Sequence, residues 1–260
     1  MIWTDNLDPV ALNLGFAQIR WYGILYVIAF LLGYIWLVKT AKNFSRKQID
    51  DLVFALILGV ILGGRIGYFL LYDPGQIFSL QIFKIWEGGM SFHGGLIGIF
   101  LAILWLMRRW GKSFLEISDL IVIPAALGLF FGRIGNFING ELVGRAIHST
   151  SSGQALEWGV IFPHFDATPR YPSQLFEAAK NLGIAGILFL ILRQKPRPGV
   201  LSFSFLILYG LGRTAVELLW REPLDGFIFD IPKGAAYSIP VFLIGLIGLI
   251  FIIAKRERRE

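Results

Sequence analysis

Three arginines interrupt long apolar stretches of this sequence, and each one directly follows a glycine. Planar guanidinium groups form paired hydrogen bonds with phosphate oxygens, and a neighbouring glycine lets a ligand or another helix approach the backbone closely. Snorkelling toward lipid headgroups is the alternative explanation for an arginine near the end of an apolar stretch. Three such residues in one chain favour an anion site, and they are Arg65, Arg133 and Arg213.

A histidine between two glycine pairs offers a group that accepts a proton. His93 lies in the segment GGMSFHGGLIG, and imidazole groups titrate near neutral pH, which suits them to general-base catalysis. A lone histidine is more often a packed residue, but this one opens an apolar stretch between glycines, which favours the functional interpretation. His148 and His164 have no neighbours that indicate a metal site, so no metal is expected.

Further polar residues accompany these candidates along the chain. Three of them, which either line a headgroup pocket or cap a helix end, follow the second arginine: Asn136, Asn139 and Glu141. Glu217 follows Arg213 by four positions, a spacing that predicts an ion pair on one helix face. Tyr22 and Tyr209 either contribute to the same site or are ordinary aromatic residues of the membrane interface.

The amino-acid composition indicates which elements must hold these residues. The chain has 260 residues, of which 55% are hydrophobic and only 16% are charged, whereas a soluble domain carries about 25% charged residues. Several apolar stretches reach the roughly 20 residues that a helix needs to cross a bilayer. The sequence therefore predicts an all-α integral membrane protein, with no nucleic acid among its partners. The absence of cysteine excludes disulfides, cysteine-based metal sites and a cysteine nucleophile within the chain.

Hydropathy predicts seven transmembrane helices. The fifth is the weakest prediction, because Glu177 and Lys180 lie in its first turns. The N-terminal segment MIWTDNLDPV has neither a basic region nor a cleavage pattern, so the first span is expected to be retained. The predicted spans are 20–38, 52–72, 90–107, 117–138, 174–192, 200–219 and 238–254.

The distribution of basic residues predicts the orientation of these spans. Fourteen of the 24 lysines and arginines lie in the connections 39–50, 108–116 and 193–199 and in the C-terminal tail. The positive-inside rule places this group in the cytoplasm, which puts the N-terminus outside and the C-terminus inside. The arginine and histidine candidates then lie in the outer half of the bilayer, so one site facing the outer leaflet is predicted.

Two connections are predicted to carry structure outside the spans. Residues 73–89 contain many large apolar side chains, and an amphipathic segment at the membrane interface is favoured over a loose loop. Residues 139–172 form the longest connection, and their turn residues predict a small extracytoplasmic head. The whole chain, 1–260, is expected to form one polytopic membrane domain.

Six segments of the sequence, in order and over nearly the whole chain, resemble the bacterial prolipoprotein diacylglyceryl transferase family. The most specific are GRIGNFINGELVGR at 132–145 and GGMSFHGGLIG at 88–98. The chain departs from the family at Tyr171, where histidine is frequent, and in the shortness of the loop before Arg170. The other matching segments are RWYG at 20–23, GGRIGYFLLYD at 63–73, RYPSQLFEA at 170–178 and GRTAVELLWREP at 212–223.

The resemblance implies transfer of the diacylglyceryl group of phosphatidylglycerol to the lipobox cysteine in the signal peptide of a prolipoprotein. It implies a bacterial cytoplasmic-membrane enzyme that forms a thioether, releases glycerol 1-phosphate and needs no cofactor. On the matching motifs, Arg133 and Arg213 are expected to hold the phosphate, and His93 is the candidate base. The resemblance further implies that the substrate pocket is shaped by Tyr22, Arg65, Asn136, Asn139, Glu141, Arg145, Tyr209 and Glu217.

Two other functions stay open on the residues alone. A transporter or flippase for anionic solutes or lipids requires a polar path to the cytoplasmic side. The predicted inner halves of the spans, such as VFALILGVIL and LIVIPAALGLF, contain no charged relay. A lipid-binding scaffold requires only arginine clamps, and it predicts that substitutions at His93 or near Glu141 leave lipid binding intact.

Overall fold

The computed structural model describes residues 2–15, 18–84, 88–147, 159–224 and 226–257 of the chain. Within these residues, seven α-helices are long and apolar enough to cross a membrane, so the prediction of an all-α integral membrane protein is confirmed. The helices are α1 Trp21–Thr40, α2 Arg46–Tyr72, α3 Phe92–Trp110, α4 Phe114–Ile138, α5 Ser173–Arg193, α6 Val200–Leu219 and α7 Lys233–Glu257.

Capping residues extend several helices beyond the apolar spans. The backbone N–H of Gln48 donates to the side chain of Ser45, and the backbone N–H of Ser45 donates to the side chain of Gln48, so α2 begins well before its apolar part. Ser91 caps α3 through the N–H of Gly94. Gly111 ends α3 with a φ of 63°, the left-handed conformation that glycine adopts readily. Hydropathy locates the apolar part of a helix and not these ends.

The chain divides into two compact units, whose boundaries fall within α1 and α4. Unit 1 comprises Met1–Gly33 and Ile121–Glu260, and unit 2 comprises Tyr34–Leu120. The expectation that 1–260 forms a single membrane domain stays a prediction.

Unit 2 is built on a close crossing between α2 and α3. A methyl group added at Gly98 would lie 1.8 Å from the backbone oxygen of Gly59, and one added at Gly63 would lie 2.4 Å from that of Gly94. No side chain fits at these contacts, so the two backbones touch directly, as small residues allow in lipid.

The connection that follows α2 also belongs to unit 2. Two 3₁₀ turns, Pro74–Gln76 and Leu80–Phe83, occupy its described part, whereas residues 85–87 lie outside the described residues. The side chain of Phe78 is fully exposed, and those of Leu80 and Phe83 are mostly exposed. Exposed apolar residues suit a segment that lies at a membrane interface, and that location stays a prediction.

The described residues of unit 1 form three short strand pairs outside its helices. β1 (Ile2–Thr4) pairs in parallel with β4 (Gly159–Ile161), while β2 (Val10–Asn13) pairs with β3 (Gln18–Arg20) and β5 (Phe227–Ile228) with β6 (Ile231–Pro232), both antiparallel. Strands of two to four residues are too short to show an alternating pattern, so the sequence does not predict them.

Arg170 organises the described part of the connection 139–172. Its guanidinium donates to the carboxylate of Glu222 at 3.0 Å and to the carbonyl oxygen of Gly144 at 3.0 Å, and it pairs with Asp166. The hydrogen bonds from Arg170 hold the pKa of the Asp166 carboxyl below its usual value. Residues 148–158, which include His148, lie outside the described residues, and the extracytoplasmic location of this segment stays a prediction.

Candidate active site

A cluster of cationic side chains surrounds the carboxylate of Glu177 on α5. Its Oε1 atom accepts a hydrogen bond of 3.2 Å from Nη1 of Arg213 on α6. Its Oε2 atom lies 3.0 Å from Nζ of Lys180 and 3.5 Å from Nε of Arg133 on α4. Glu177 is fully buried, with 0% of its surface exposed. One buried carboxylate therefore brings together cations from three helices of unit 1.

A second buried carboxylate, that of Glu217, extends this cluster along α6. Its Oε2 atom lies 2.7 Å from Nη2 of Arg213, so the predicted i, i+4 pair is confirmed, and 3.6 Å from Nε of Arg221. Gly234 of α7 packs on the same carboxylate, because a methyl group added there would lie 2.5 Å from Cδ of Glu217. Two arginines and the backbone of α7 at Gly234 thus lie around the carboxylate of Glu217.

The cluster carries more positive than negative charge. In the ion pairs of the described residues, four cations, Arg133, Lys180, Arg213 and Arg221, share the two carboxylates described above, an excess of two positive charges within these pairs. Burial, with Arg213 and Arg133 as further causes, lowers the pKa of Arg221 to about 10, so this residue still carries its charge at neutral pH. Because buried charge is costly unless it is paired, the cluster is suited to an anion.

Three members of this cluster were not predicted as site residues. Glu177 and Lys180 were noted only because their charges weaken the prediction of the fifth span, and Arg221 was noted only as part of the segment 212–223. The signal was present, since an ionisable side chain within a transmembrane segment is expensive, at about 2.5 kcal/mol or more, and usually has a partner. Two partners of Glu177, Arg133 and Arg213, were not readable from the sequence because they lie on other helices.

The polar residues after Arg133 form a chain of hydrogen bonds. Nη1 of Arg133 donates to Oδ1 of Asn136 at 3.1 Å. The Nδ2 groups of Asn136 and Asn139 both donate to Oε1 of Glu141, at 3.0 and 3.1 Å. A turn through Gly140, with a φ of 64°, returns Glu141 to the end of α4. These residues, all predicted for the site, therefore lie together and orient Arg133.

The remaining predicted residues of unit 1 lie at several places. Nε of Arg145 donates to the carbonyl oxygen of Arg221 at 3.1 Å, so it supports the segment that carries Arg221. The ring of Tyr209 lies 4.4 Å from Nζ of Lys180. The ring of Tyr22 packs on Gly135 of α4, and its hydroxyl lies 3.2 Å from that of Tyr26.

His93 lies in unit 2, in the first turn of α3 directly after the Ser91 cap. Its side chain is exposed, and its ring meets the edge of Phe92 with 5.7 Å between the centroids. The prediction that this histidine opens a helix is confirmed.

Arg65, also in unit 2, binds the backbone of the connection that follows α2. A guanidinium group has five N–H donors, and here five carbonyl oxygens of the described residues accept hydrogen bonds from it, including that of Ile82 at 3.1 Å from Nε. The side chain therefore fixes the connection to α2. The accepting residues are Gln81, Ile82, Lys84, Gly88 and Gly89.

Replacing Arg65 by methionine is expected to release this connection. Each lost hydrogen bond to a charged group contributes about 1.5–3 kcal/mol, so amide exchange in residues 74–84 should become at least about 100-fold faster. Hydrogen–deuterium exchange followed by mass spectrometry measures this effect. The matched control is Arg46→Met on the same helix, because Arg46 is exposed and pairs only with Asp50 and Tyr34 among the described residues. Unchanged exchange in Arg65→Met would contradict the assignment.

Comparison with known proteins places the chain in a family. The family model described as prolipoprotein diacylglyceryl transferase matches residues 9–251. The chain belongs to the prolipoprotein diacylglyceryl transferase family. It is therefore a membrane-embedded transferase, as predicted, and the alternatives of a transporter and a lipid-binding scaffold are not favoured.

Relatives named phosphatidylglycerol–prolipoprotein diacylglyceryl transferase match the chain over nearly its full length. The Legionella pneumophila (strain Corby) protein is 43% identical, over 95% of this chain and 97% of the relative. The Bordetella avium (strain 197N) protein is 44% identical over 100% of both chains. The protein from Oleidesulfovibrio alaskensis is 44% identical, over 100% of this chain and 98% of the relative.

Proposed function

We propose that the protein transfers the diacylglyceryl group of phosphatidylglycerol to the cysteine thiol of a prolipoprotein lipobox, with the cluster around Glu177 and Glu217 as its phosphate site. The observation that carries this assignment is the excess of two buried positive charges in that cluster. The shared name of the relatives supplies the donor and the acceptor. The cluster supplies the positive charge that the phosphate of that donor requires.

The reaction is a substitution at carbon. The thiolate attacks the glyceryl carbon that bears the phosphate ester oxygen, and the sulfur lone pair becomes the new C–S bond. The electrons of the breaking C–O bond pass to the phosphate, which leaves as glycerol 1-phosphate, and a base takes the thiol proton. The phosphodiester carries one negative charge, whereas the monoester carries about 1.5 to 2 at neutral pH. Negative charge therefore increases on the phosphate as the C–O bond breaks.

Arg133 and Arg213 stabilise this increase in charge. Interactions that are stronger in the transition state than in the ground state raise the rate, and prepositioned donors do so without reorganisation. The carboxylate of Glu177 accepts a hydrogen bond from Arg213 and forms an ion pair with Arg133, and Asn136 accepts a hydrogen bond from Arg133. The glutamates therefore orient the two arginines, whose remaining donors bind the phosphate oxygens.

The base that ionises the thiol is His93, a role supported by its motif. A cysteine thiol has a pKa of about 8.5 in water, so it is mostly protonated at neutral pH. We expect His93→Gln to lower kcat at pH 7 by about 100-fold. The deficit should shrink as the pH rises toward 9, because the substrate thiol then ionises without assistance.

A pH–rate profile with a lipobox peptide measures this effect. The control is His164→Gln, since His164 is exposed and belongs to the connection 139–172. Wild-type activity of His93→Gln at pH 7 would remove the base role and leave thiolate formation to the electropositive surroundings alone.

The membrane orientation follows from the charges at the helix ends. The last turns of α1, α3 and α5 carry Lys39, Arg108 with Arg109, and Arg193. Basic residues at these ends favour the cytoplasmic side, so the N-terminus lies outside and the C-terminus inside the bacterial cytoplasmic membrane. The N-terminal end of α5, near which Glu177 lies, is then toward the outer leaflet.

Mass spectrometry of a lipobox peptide tests the proposed function directly. The peptide is incubated with the purified protein and phosphatidylglycerol in detergent. The expected result is a mass gain of one diacylglyceryl group on the cysteine, together with released glycerol 1-phosphate. A folded protein that binds phosphatidylglycerol but leaves the peptide unmodified would refute the assignment and favour a lipid-binding or transport function.

A further inference from the structure

We propose that Lys180 is a positioning residue that neutralises Glu177 and keeps Arg133 available to the phosphate. This proposal rests on the function proposed above and extends it to a residue outside the segments that resemble the family. Lys180 touches neither the reacting carbon nor the phosphate in this assignment. It acts through the carboxylate that it shares with the two arginines.

The contacts of Lys180 hold its ammonium group in one place. Nζ donates a hydrogen bond of 3.0 Å to Oε2 of Glu177 and lies 4.4 Å from the centroid of the Tyr209 ring, a cation–π distance. The aliphatic part lies against Gly212 of α6, because a methyl group added there would be 2.7 Å from Cδ of Lys180. Only 12% of the side chain is exposed. A side chain fixed by two helices in this way contributes a defined charge rather than a mobile one.

Lys180 and Arg133 share one oxygen of Glu177. The ammonium group is 3.0 Å from Oε2, whereas Nε of Arg133 is 3.5 Å from the same atom and makes only an ion pair. The lysine is thus the closer partner of this oxygen. Because Lys180 satisfies Oε2, movement of Arg133 toward a phosphate does not leave the carboxylate buried without a cation.

The charge of Lys180 also sets the net charge of the cluster. With it, four cations face two carboxylates; without it, the excess falls from two positive charges to one. The leaving group approaches a dianion, whereas the donor lipid is a monoanion. An excess of two positive charges therefore matches the leaving group better than the donor lipid. Lys180 should therefore favour the transition state and the released phosphomonoester over bound phosphatidylglycerol.

In Lys180→Met, we expect kcat and the inhibition constant of glycerol 1-phosphate to change, whereas the KM for phosphatidylglycerol changes much less. The loss of one charge at short range should lower kcat on the order of tenfold and raise the inhibition constant of glycerol 1-phosphate at pH 7 by a similar factor. The KM for phosphatidylglycerol should change less than about threefold, because the donor carries one charge. Lys180→Arg restores the charge and should recover most of both losses.

The experiment measures kcat, KM and inhibition with a lipobox peptide and phosphatidylglycerol in detergent. The matched control is Lys112→Met, since Lys112 likewise pairs with a glutamate, Glu116 at 3.7 Å, and lies 5.4 Å from an aromatic ring, that of Phe44. This control should match the wild type. If Lys180→Met does not fold, Lys180→Gln carries the same test, because it removes the charge while keeping a donor for Glu177.

The outcomes separate this inference from the proposed function. Unchanged kcat and unchanged glycerol 1-phosphate inhibition in the folded variant would overturn the role of Lys180 while wild-type transfer still stands. Equal losses in Lys180→Met and Lys180→Arg would also overturn it, because a purely steric role predicts that result. Wild-type protein that transfers nothing from phosphatidylglycerol would instead refute the proposed function.

Discussion

Arg133→Ala and Arg213→Ala are each expected to abolish measurable diacylglyceryl transfer, a loss of more than about 1000-fold in kcat. Removal of one donor from an oxyanion site already lowers kcat by about 100- to 1000-fold, and each of these arginines also carries a charge. Arg213 contacts both buried carboxylates, with Nη1 at 3.2 Å from Glu177 and Nη2 at 2.7 Å from Glu217. Its loss therefore affects the position of every other cation in the cluster. Mass spectrometry of the lipobox peptide over time measures the rate.

Loss of folding must be separated from loss of catalysis in these variants. Removing one partner of a buried ion pair destabilises a protein by about 3–5 kcal/mol, because the other charge is left uncompensated. The double variant Arg213→Ala, Glu217→Gln removes a negative charge as well, so it should fold better than Arg213→Ala but remain inactive. Arg109→Ala is the matched control, since this exposed arginine also pairs with a carboxylate, that of Asp51 at 3.9 Å. Full activity of either single variant would refute the phosphate assignment.

The carboxylates of the cluster are as necessary to an anion site as its arginines. A bare group of buried cations repels itself and keeps no fixed geometry, whereas Glu177 and Glu217 hold the guanidinium groups at defined distances and still leave an excess of positive charge. Such prepositioning removes the reorganisation that solvent would need when charge develops on the phosphate. The two glutamates thus reduce the net positive charge of the cluster but fix the positions of its guanidinium groups.

The sequence was sufficient to predict those features of the fold that depend on local composition. Seven apolar stretches predict seven helices, and the block after Arg133 predicts a group of polar residues that the fold does bring together. The helix ends were less predictable, because they depend on caps such as Ser45 rather than on hydropathy. Strands of two to four residues carried no periodic signal at all.

The partners of the buried charges were the part that the sequence did not predict. Three arginines that each follow a glycine looked alike along the chain, yet Arg133 and Arg213 contact carboxylates, whereas Arg65 contacts backbone carbonyl oxygens. Those carbonyl groups become acceptors only once the connection after α2 has folded into its 3₁₀ turns. Similarly, the sequence indicated Glu177 only as a charge that weakens the prediction of α5, because two of its cations, Arg133 and Arg213, lie on α4 and α6.

The second prediction with a large effect concerns the stability of the protein, and it follows from the glycines at the crossing between α2 and α3. Gly98→Ala is expected to lower the free energy of unfolding by about 3 kcal/mol or more, since the new methyl group would lie 1.8 Å from the backbone oxygen of Gly59. Neither backbone has a flexible side chain that moves aside, so the two helices must separate. A fall in Tm of at least about 6 °C is the expected result, measured by thermal unfolding in detergent.

Gly95→Ala is the matched control, because it places the same methyl group three residues away on the same helix. There the nearest atom is the backbone oxygen of Val60 at 3.8 Å, an ordinary contact, and alanine favours the helix by about 1 kcal/mol over glycine. The Tm of this variant should equal or exceed that of the wild type. Equal Tm values for Gly98→Ala and Gly95→Ala would show that the helices tolerate separation. Because α2 carries Arg65 and the first turn of α3 carries His93, loss of this contact should also reduce transfer.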